Sequence, residues 1–118
     1  MAASWPRELR IDPSRSTLSI RFENGDSFAL AAEFLRVESP SAEVQGHSAA
    51  QKQIVGGKRH VKIVSVEPIG NYAARIVFDD GHDTGLYSWD YLHELGREQN
   101  TRWSAYLSAL RKTGGKRE

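Results

Sequence analysis

The sequence predicts a small α+β domain: a mostly antiparallel sheet system built from two hairpins, packed by a short helix and a C-terminal helix. Residues 18–30 and 74–87 each alternate apolar and polar side chains around an Asn-Gly or Asp-Gly turn, as hairpin strands do. Apolar residues near the end of the chain recur at helical spacing. The length of 118 residues suits one domain. We assign it to residues 8–112, with 1–7 and 113–118 as flexible termini.

The first half begins with an expected edge strand at residues 8–11, which Asp12-Pro13 ends. A hairpin follows, with its turn at Asn24-Gly25, and then a short helix over residues 31–37 that Pro40 closes. Residues 39–57 are polar and rich in small side chains. We interpret them as a long loop, which in a compact domain is usually functional or mobile.

The second half repeats the pattern. A strand over residues 61–66 leads to a hairpin turning at Asp79-Asp80-Gly81, and its return strand is expected at 83–87. Ser88 is a predicted helix N-cap, and Gly96 is expected to end that helix. The same residue recurs 56 positions later at four places: Ile20 and Ile76, Phe22 and Phe78, Gly25 and Gly81, Leu30 and Leu86. Either a duplicated unit or two ordinary hairpins would explain this match.

The final helix is predicted over residues 98–112, because Trp103, Tyr106, Leu107 and Leu110 share one face. Trp89 and Trp103 each belong to an apolar stripe, so both are expected to be largely buried.

Composition excludes several classes of function. Cysteine is absent, which removes disulfides, thiolate catalysis and cysteine-ligated metals and agrees with a cytoplasmic protein. The net charge of +1 gives no field for nucleic acid or an anionic membrane. No apolar run is long enough to span a bilayer, and residues 1–10 lack the apolar core of a signal peptide.

The strongest candidate for chemistry is His82 with Asp83 beside the second turn. A carboxylate next to an imidazole can bind a metal or orient a base, although a surface turn has the same composition. His47 and His93 are further candidate ligands, but no HxH, HxxxH or HExxH spacing occurs. Residues 56–60, GGKRH, have the ingredients of an anion site without the spacing of a P-loop.

Three segments carry a family resemblance: LRVESPSAEVQGH at 35–47, VEPIGNYAARIVFDDGHDTGLYSWDYLHELG at 66–96, and the turn at 22–25. Together they resemble the small bacterial domain related to the N-terminal domain of gamma-butyrobetaine hydroxylase, over residues 9–96. Similar domains stand alone, or are fused to 2-oxoglutarate-dependent hydroxylases and to P-loop iron–sulfur carrier ATPases. The resemblance implies a helper domain, because the catalytic iron site of the hydroxylases belongs to another domain.

In those hydroxylases the domain holds a structural zinc through three cysteines and one histidine. The resemblance places these ligands at Ser39, Ser41, Val44 and His82, of which only His82 is a good zinc ligand. The hydroxylase-type site is therefore expected to be lost, and no cofactor is expected, although zinc or iron at a remade site stays open. The matching positions imply that Ser39 and Ser41 lie near His82. We predict a shallow polar pocket lined by Ser39, Ser41, His82, Asp83 and Tyr87, with Trp89 at its edge, unless the group is only a hydrogen-bonded loop anchor.

The leading hypothesis is a non-catalytic accessory or interaction domain that binds a protein partner, associated with iron–sulfur or metal enzymes. The first alternative is a metal-binding domain that uses His82 and Asp83, with His47 or His93. The second is an enzyme with its site in the loop of residues 39–57.

Overall fold

Within the described residues, six strands and four helices follow one another in a repeated order. The structure is a computed structural model that describes residues 5–46 and 53–118. The first half contains β1 (Pro6–Ile11), β2 (Thr17–Phe22), β3 (Ser27–Ala31), α1 (Ala32–Val37) and the four-residue α2 (Ala42–Gln45). The second contains β4 (Ile63–Ile69), β5 (Ala73–Phe78), β6 (Leu86–Ser88), α3 (Trp89–Arg97) and α4 (Gln99–Lys112).

The strands form two separate antiparallel sheets of three strands, in the orders β1-β2-β3 and β4-β5-β6. The predicted α+β class and the two hairpins are therefore confirmed. β2 and β5 begin 56 residues apart, and each sheet leads directly into a helix. The match is imperfect at one position, because Leu30 is buried and its counterpart Leu86 is 45% exposed. Tyr87 is the buried side chain of β6 instead.

One hydrophobic core joins the two sheets. The inward residues of β2 and β5 meet the apolar faces of α1 and α3; the central members of this core are Leu18, Ile20, Phe22, Phe34, Leu35, Ala74, Ile76, Phe78, Leu92 and Leu95. Because both sheets contribute to the same core, neither half encloses an apolar interior alone.

The helix α3 differs from the prediction at its end. Ser88 is the N-cap, and its hydroxyl accepts a hydrogen bond from the Tyr91 amide at 3.1 Å. Gly96, however, lies inside the helix, so the prediction that it ends α3 is wrong. A Cβ at this position would lie 2.3 Å from the ring of Phe28. Gly96 is therefore suited to the close packing of α3 on β3.

The last helix occupies its predicted range, but Trp103 is only half-buried, whereas Trp89 is 7% exposed. The expectation of burial is thus confirmed for Trp89, and Trp103 is partly buried against the same core. The ring of Trp103 packs against Phe34 and stacks on Tyr106, and the Arg117 guanidinium lies 5.4 Å from the Trp103 ring centre. The helix stripe covers the edge of the core rather than its centre.

The C-terminal residues make specific contacts. Arg117 forms two hydrogen bonds with the Glu33 carboxylate, at 3.0 and 2.7 Å. The Gly57 amide donates to the carbonyl of Lys116, and the Arg59 amide donates to that of Arg117, each at 2.9 Å. The flexibility expected of residues 113–118 stays a prediction, but these contacts attach the segment to α1 and to residues 57–59.

No helix among the described residues is long and apolar enough to cross a membrane.

Candidate functional site

The turn that carries His82 is set by its own backbone. Gly81 has φ +90°, and its amide donates to the Phe78 carbonyl at 3.1 Å. The Phe78 amide donates to the carbonyl of His82, and the His82 amide donates to Oδ1 of Asp80, each at 3.0 Å. These bonds require a residue that accepts positive φ, which is why glycine suits position 81.

The first hairpin has the same turn 56 residues earlier. Gly25 has φ +97°, its amide donates to Phe22, and the Phe22 amide donates to the Asp26 carbonyl. Oδ1 of Asn24 accepts from the Asp26 amide at 2.9 Å, as Asp80 accepts from His82. The two turns therefore share one geometry, which both a duplicated unit and two ordinary hairpins would produce.

His82 contacts both serines. Its Nε2 lies 2.8 Å from Oγ of Ser39 and 3.5 Å from Oγ of Ser41. The amide of Ser41 donates to Oγ of Ser39 at 3.3 Å, and Nε2 of Gln45 donates to the Ser39 carbonyl at 2.8 Å. The expected proximity of Ser39 and Ser41 to His82 is therefore present. The bonds connect the start of α2 to the β5–β6 turn.

This group, which we call the serine–histidine cluster (Ser39, Ser41 and His82), is closed. Ser39 is fully buried, and Ser41 and His82 are 6% and 7% exposed. Gly85 covers Ser39, since a Cβ at position 85 would lie 2.5 Å from its Oγ. The burial and the hydrogen bonds fit the alternative of a hydrogen-bonded anchor, and the shallow pocket stays a prediction. Binding of a partner's side chain or of a cation by the serine–histidine cluster stays a prediction.

The other two predicted pocket residues have different roles. Tyr87 is completely buried, and its hydroxyl donates to the Leu35 carbonyl at 2.5 Å. Burial raises the pKa of Tyr87 far above its usual range, so the ring remains neutral. Asp83 is half-buried, and its charge acts on Arg75. In the described parts of the chain, Asp83 makes no hydrogen bond to the cluster.

His60 and His93 are not brought to His82. His93 pairs with Asp26 at 2.6 Å and packs edge-on against Phe22 and Phe28, beside the first turn. His60 is exposed. His47 and part of the predicted loop at 39–57 lie outside the described residues.

An ion-pair group next to the cluster was not predicted. Oδ2 of Asp80 lies 2.8 Å from Nε of Arg36 and 2.6 Å from Nζ of Lys58. Burial disfavours the charged carboxylate, but the hydrogen bonds from Lys58, the His82 amide and Arg36 outweigh it and lower the pKa of Asp80 to about 2. Nη1 of Arg36 is buried without a hydrogen-bond partner among the described residues. Because Lys58 is paired and the Gly57 amide is bonded to Lys116, the GGKRH segment offers no free anion cradle there.

The residues at the zinc positions do not fit zinc. The serine hydroxyls are neutral and poor ligands, Val44 has no donor atom, and only His82 provides a good one. Within residues 5–46 and 53–118, no group of three or more histidine, aspartate or glutamate side chains could hold a metal ion. Binding of zinc or iron through His82 and Asp83 remains an untested prediction.

An open cleft lies at a different place. It has a volume of about 290 Å³ and is lined by Trp5, Asn71, Tyr72, Ser88, Trp89 and Asp90. We call it the aromatic cleft. Trp5 and Tyr72 are 46% and 56% exposed. The sequence analysis assigned Trp5 to the flexible N-terminus and named no site there; an aromatic residue in the polar turn Gly70-Asn71-Tyr72 was the available signal for this surface.

Comparison with known proteins agrees with this architecture. Residues 9–93 match the family model described as gamma-butyrobetaine hydroxylase-like, N-terminal. The chain belongs to this family. Among curated proteins, none matches it.

Three solved structures are similar over most of the family domain. Two are NMR solution structures, with 44% and 45% sequence identity and TM-scores of 0.86 and 0.84. The alignments cover 99% and 98% of this chain, and 92% and 86% of the other chains. The third is a crystal structure of a DUF971 protein of unknown function from Acidithiobacillus ferrooxidans, with 38% identity, a TM-score of 0.65, and coverage of 77% of this chain and 91% of that one.

Proposed function

We propose that this domain is a non-catalytic accessory module that binds a protein partner through the aromatic cleft. The observation that carries the proposal is the exposure of Trp5 and Tyr72, which both line one open cleft. Large aromatic side chains provide much of the binding energy at protein interfaces, because they bury a large area with few rotatable bonds.

The cleft is held in place by the fold. The indole Nε1 of Trp89 donates to the Asn71 carbonyl at 3.0 Å, and the Trp89 amide donates to the Tyr72 carbonyl at 3.2 Å. The ring of Tyr72 lies against Gly70, where a Cβ would be 3.1 Å from it. A surface that is ordered before binding loses less conformational entropy when the partner arrives.

The polar groups at the zinc positions support the same proposal. Ser39, Ser41 and His82 are buried and hydrogen-bonded to one another, so they offer no exposed nucleophile or base. The partner class, an iron–sulfur or other metal-dependent enzyme in the cytoplasm, follows from the family resemblance.

Affinity capture from the native cell tests the proposal, with the wild type compared against a Trp5→Ala/Tyr72→Ala variant. We expect a specific partner with the wild type and its loss with the double variant. Val64→Ala is the matched control, because Val64 is also an exposed apolar residue, at 48%, but does not line the cleft. Equal recovery of the partner by the double variant would exclude the cleft as the binding surface.

A further inference from the structure

We propose that the aromatic cleft receives the positively charged side chain of a lysine or arginine from the partner protein. This inference rests on the proposed function and deepens it, since it specifies the chemistry that the partner must present. The argument uses the composition of the lining, its charge and the way in which its rings are held.

The lining combines three aromatic rings with one formal charge. Trp5, Tyr72 and Trp89 provide the rings, and Asp90 provides a carboxylate. No basic residue is among the described residues that line the cleft. An aromatic face carries negative electrostatic potential, so the rings and the carboxylate favour the same sign of ligand.

The carboxylate is available for a ligand. Asp90 is exposed in the first turn of α3, and it makes no ion pair or hydrogen bond within residues 5–46 and 53–118. Four acids elsewhere, Asp26, Glu33, Glu67 and Asp80, are by contrast each paired with a cationic or imidazole group.

The exposed rings are available too. In the described chain, neither Trp5 nor Tyr72 stacks on another ring or lies under a lysine or arginine, whereas Trp103 lies under Arg117 and Tyr91 under Arg102. This fold thus uses cation–π contacts internally but leaves the two cleft rings without one. A partner's cationic side chain would supply that contact and pair with Asp90.

The alternative ligands fit less well. An acidic side chain would be repelled by Asp90 and by the ring faces. A purely apolar side chain would gain from burial against the rings but would bring no partner for the carboxylate. The charge of the lining therefore selects a cation.

Titration followed by ¹H–¹⁵N NMR tests the inference, because the indole N–H signals of Trp5 and Trp89 report directly on the cleft. The probes are Nα-acetyl-lysine N-methylamide and its arginine counterpart, and the neutral control is the norleucine derivative of nearly the same shape. We expect saturable shifts of the cleft signals with the cationic probes and affinity lower by about threefold or more with norleucine.

Substitutions at two positions separate the contribution of the charge from that of the ring. Asp90→Asn keeps the shape of the side chain and removes its charge, and we expect it to reduce the preference for lysine over norleucine. Tyr72→Leu removes a ring, whereas Tyr72→Phe retains one; only the former is expected to weaken binding of the cationic probes. Glu118→Gln, which removes an exposed acid that pairs with Arg59 and does not line the cleft, should change nothing.

Equal shifts with lysine and norleucine, or no shifts with any probe, would overturn the inference. Either result would leave the proposed function intact if partner capture still depended on Trp5 and Tyr72. A failure of capture to depend on these residues, with lysine binding retained, would reject the proposed function and preserve the cation site.

Discussion

Oγ of Ser39 lies 2.8 Å from Nε2 of His82, across 43 residues of sequence. This contact joins the segment leading into α2 to the turn between β5 and β6. The family resemblance implies a shared zinc at these two positions in the hydroxylases; here a hydrogen bond between buried side chains makes the connection.

The first prediction is that Ser39 and His82 stabilise the fold as a pair. Ser39→Ala leaves the buried imidazole without its nearest partner, so we expect the free energy of unfolding to fall by about 1–3 kcal/mol. His82→Ala should cost at least as much. In a double-mutant cycle by urea denaturation, the coupling should be about 0.5–3 kcal/mol.

Exposed Ser104→Ala is the control and should be nearly neutral. If His82→Ala abolishes partner capture while the denaturation midpoint is unchanged, the cluster is a binding site and the anchor interpretation is wrong.

A second prediction concerns the recovery of a zinc site. The variant Ser39→Cys/Ser41→Cys/Val44→Cys restores three thiolates beside His82, and we expect it to bind one zinc ion per chain. Its Tm should rise with zinc and fall with EDTA, because binding to the folded state alone stabilises that state. The wild type should carry no stoichiometric zinc and should not respond to EDTA.

Adding His82→Ala to the triple variant removes the fourth ligand, and we expect much weaker zinc binding. Zinc that survives dialysis of the wild type, measured by elemental analysis of protein prepared without a histidine tag, would contradict the assignment of a lost site.

The third prediction isolates the charge of Asp80. In the first turn Asn24 makes the same backbone contact that Asp80 makes in the second. Asp80→Asn should therefore keep the turn and lose only the ion pairs to Arg36 and Lys58. At pH 7 we expect a loss of about 1 kcal/mol, a value reduced for solvent screening.

The pH dependence has a definite sign. Folding lowers the pKa of Asp80 from 3.8 to about 2. The stabilisation that the ionised carboxylate gives to the folded state is therefore complete above about pH 4 and is lost as the pH falls from about 4 to about 2. Denaturation curves of wild type and Asp80→Asn should converge near pH 2. Asp79→Asn is the matched control, because the carboxylate of Asp79 makes no ion pair in the described chain. If the free energies of unfolding of wild type and Asp80→Asn differed by the same amount at every pH, the ion pairs would be excluded as the cause of the difference.

A fourth prediction concerns Gly96. Alanine normally favours a helix over glycine by about 1 kcal/mol, but a Cβ here would lie 2.3 Å from the Phe28 ring. We expect Gly96→Ala to destabilise the protein by about 1–3 kcal/mol in urea melts. Phe28→Ala/Gly96→Ala should lose less than the sum of the single variants. A stabilised Gly96→Ala protein would show that β3 and α3 separate easily.

Much of the fold was predictable because its signals are local. The Asn24-Gly25 and Asp80-Gly81 turns, the alternating strands and the Ser88 cap depend on neighbouring residues. The prediction for Gly96 was wrong because the space for a side chain there is occupied by Phe28, which is distant in sequence. Helical spacing placed Trp103 on an apolar face, but it does not indicate how deeply that face is buried.

The candidate site also has a part that the sequence predicted and a part that only the folded chain shows. The family resemblance implied that Ser39 and Ser41 lie near His82, but the closure of the group depends on Gly85 and the packing of α2. The Asp80 ion pairs require Arg36 and Lys58, which no short spacing connects to it. The aromatic cleft assembles residues near positions 5, 72 and 89, so only the folded chain brings them together.

The repeated order of three strands and a helix has a consequence for how the molecule could be divided. The helix α3 of the second unit packs on β3 of the first, and Tyr87 of the second bonds to Leu35 of the first. A polypeptide cut between residues 46 and 53 would give two fragments whose apolar faces complete each other. We expect them to associate as a heterodimer and regain the circular dichroism of the intact chain, so that this domain would serve as a split reporter.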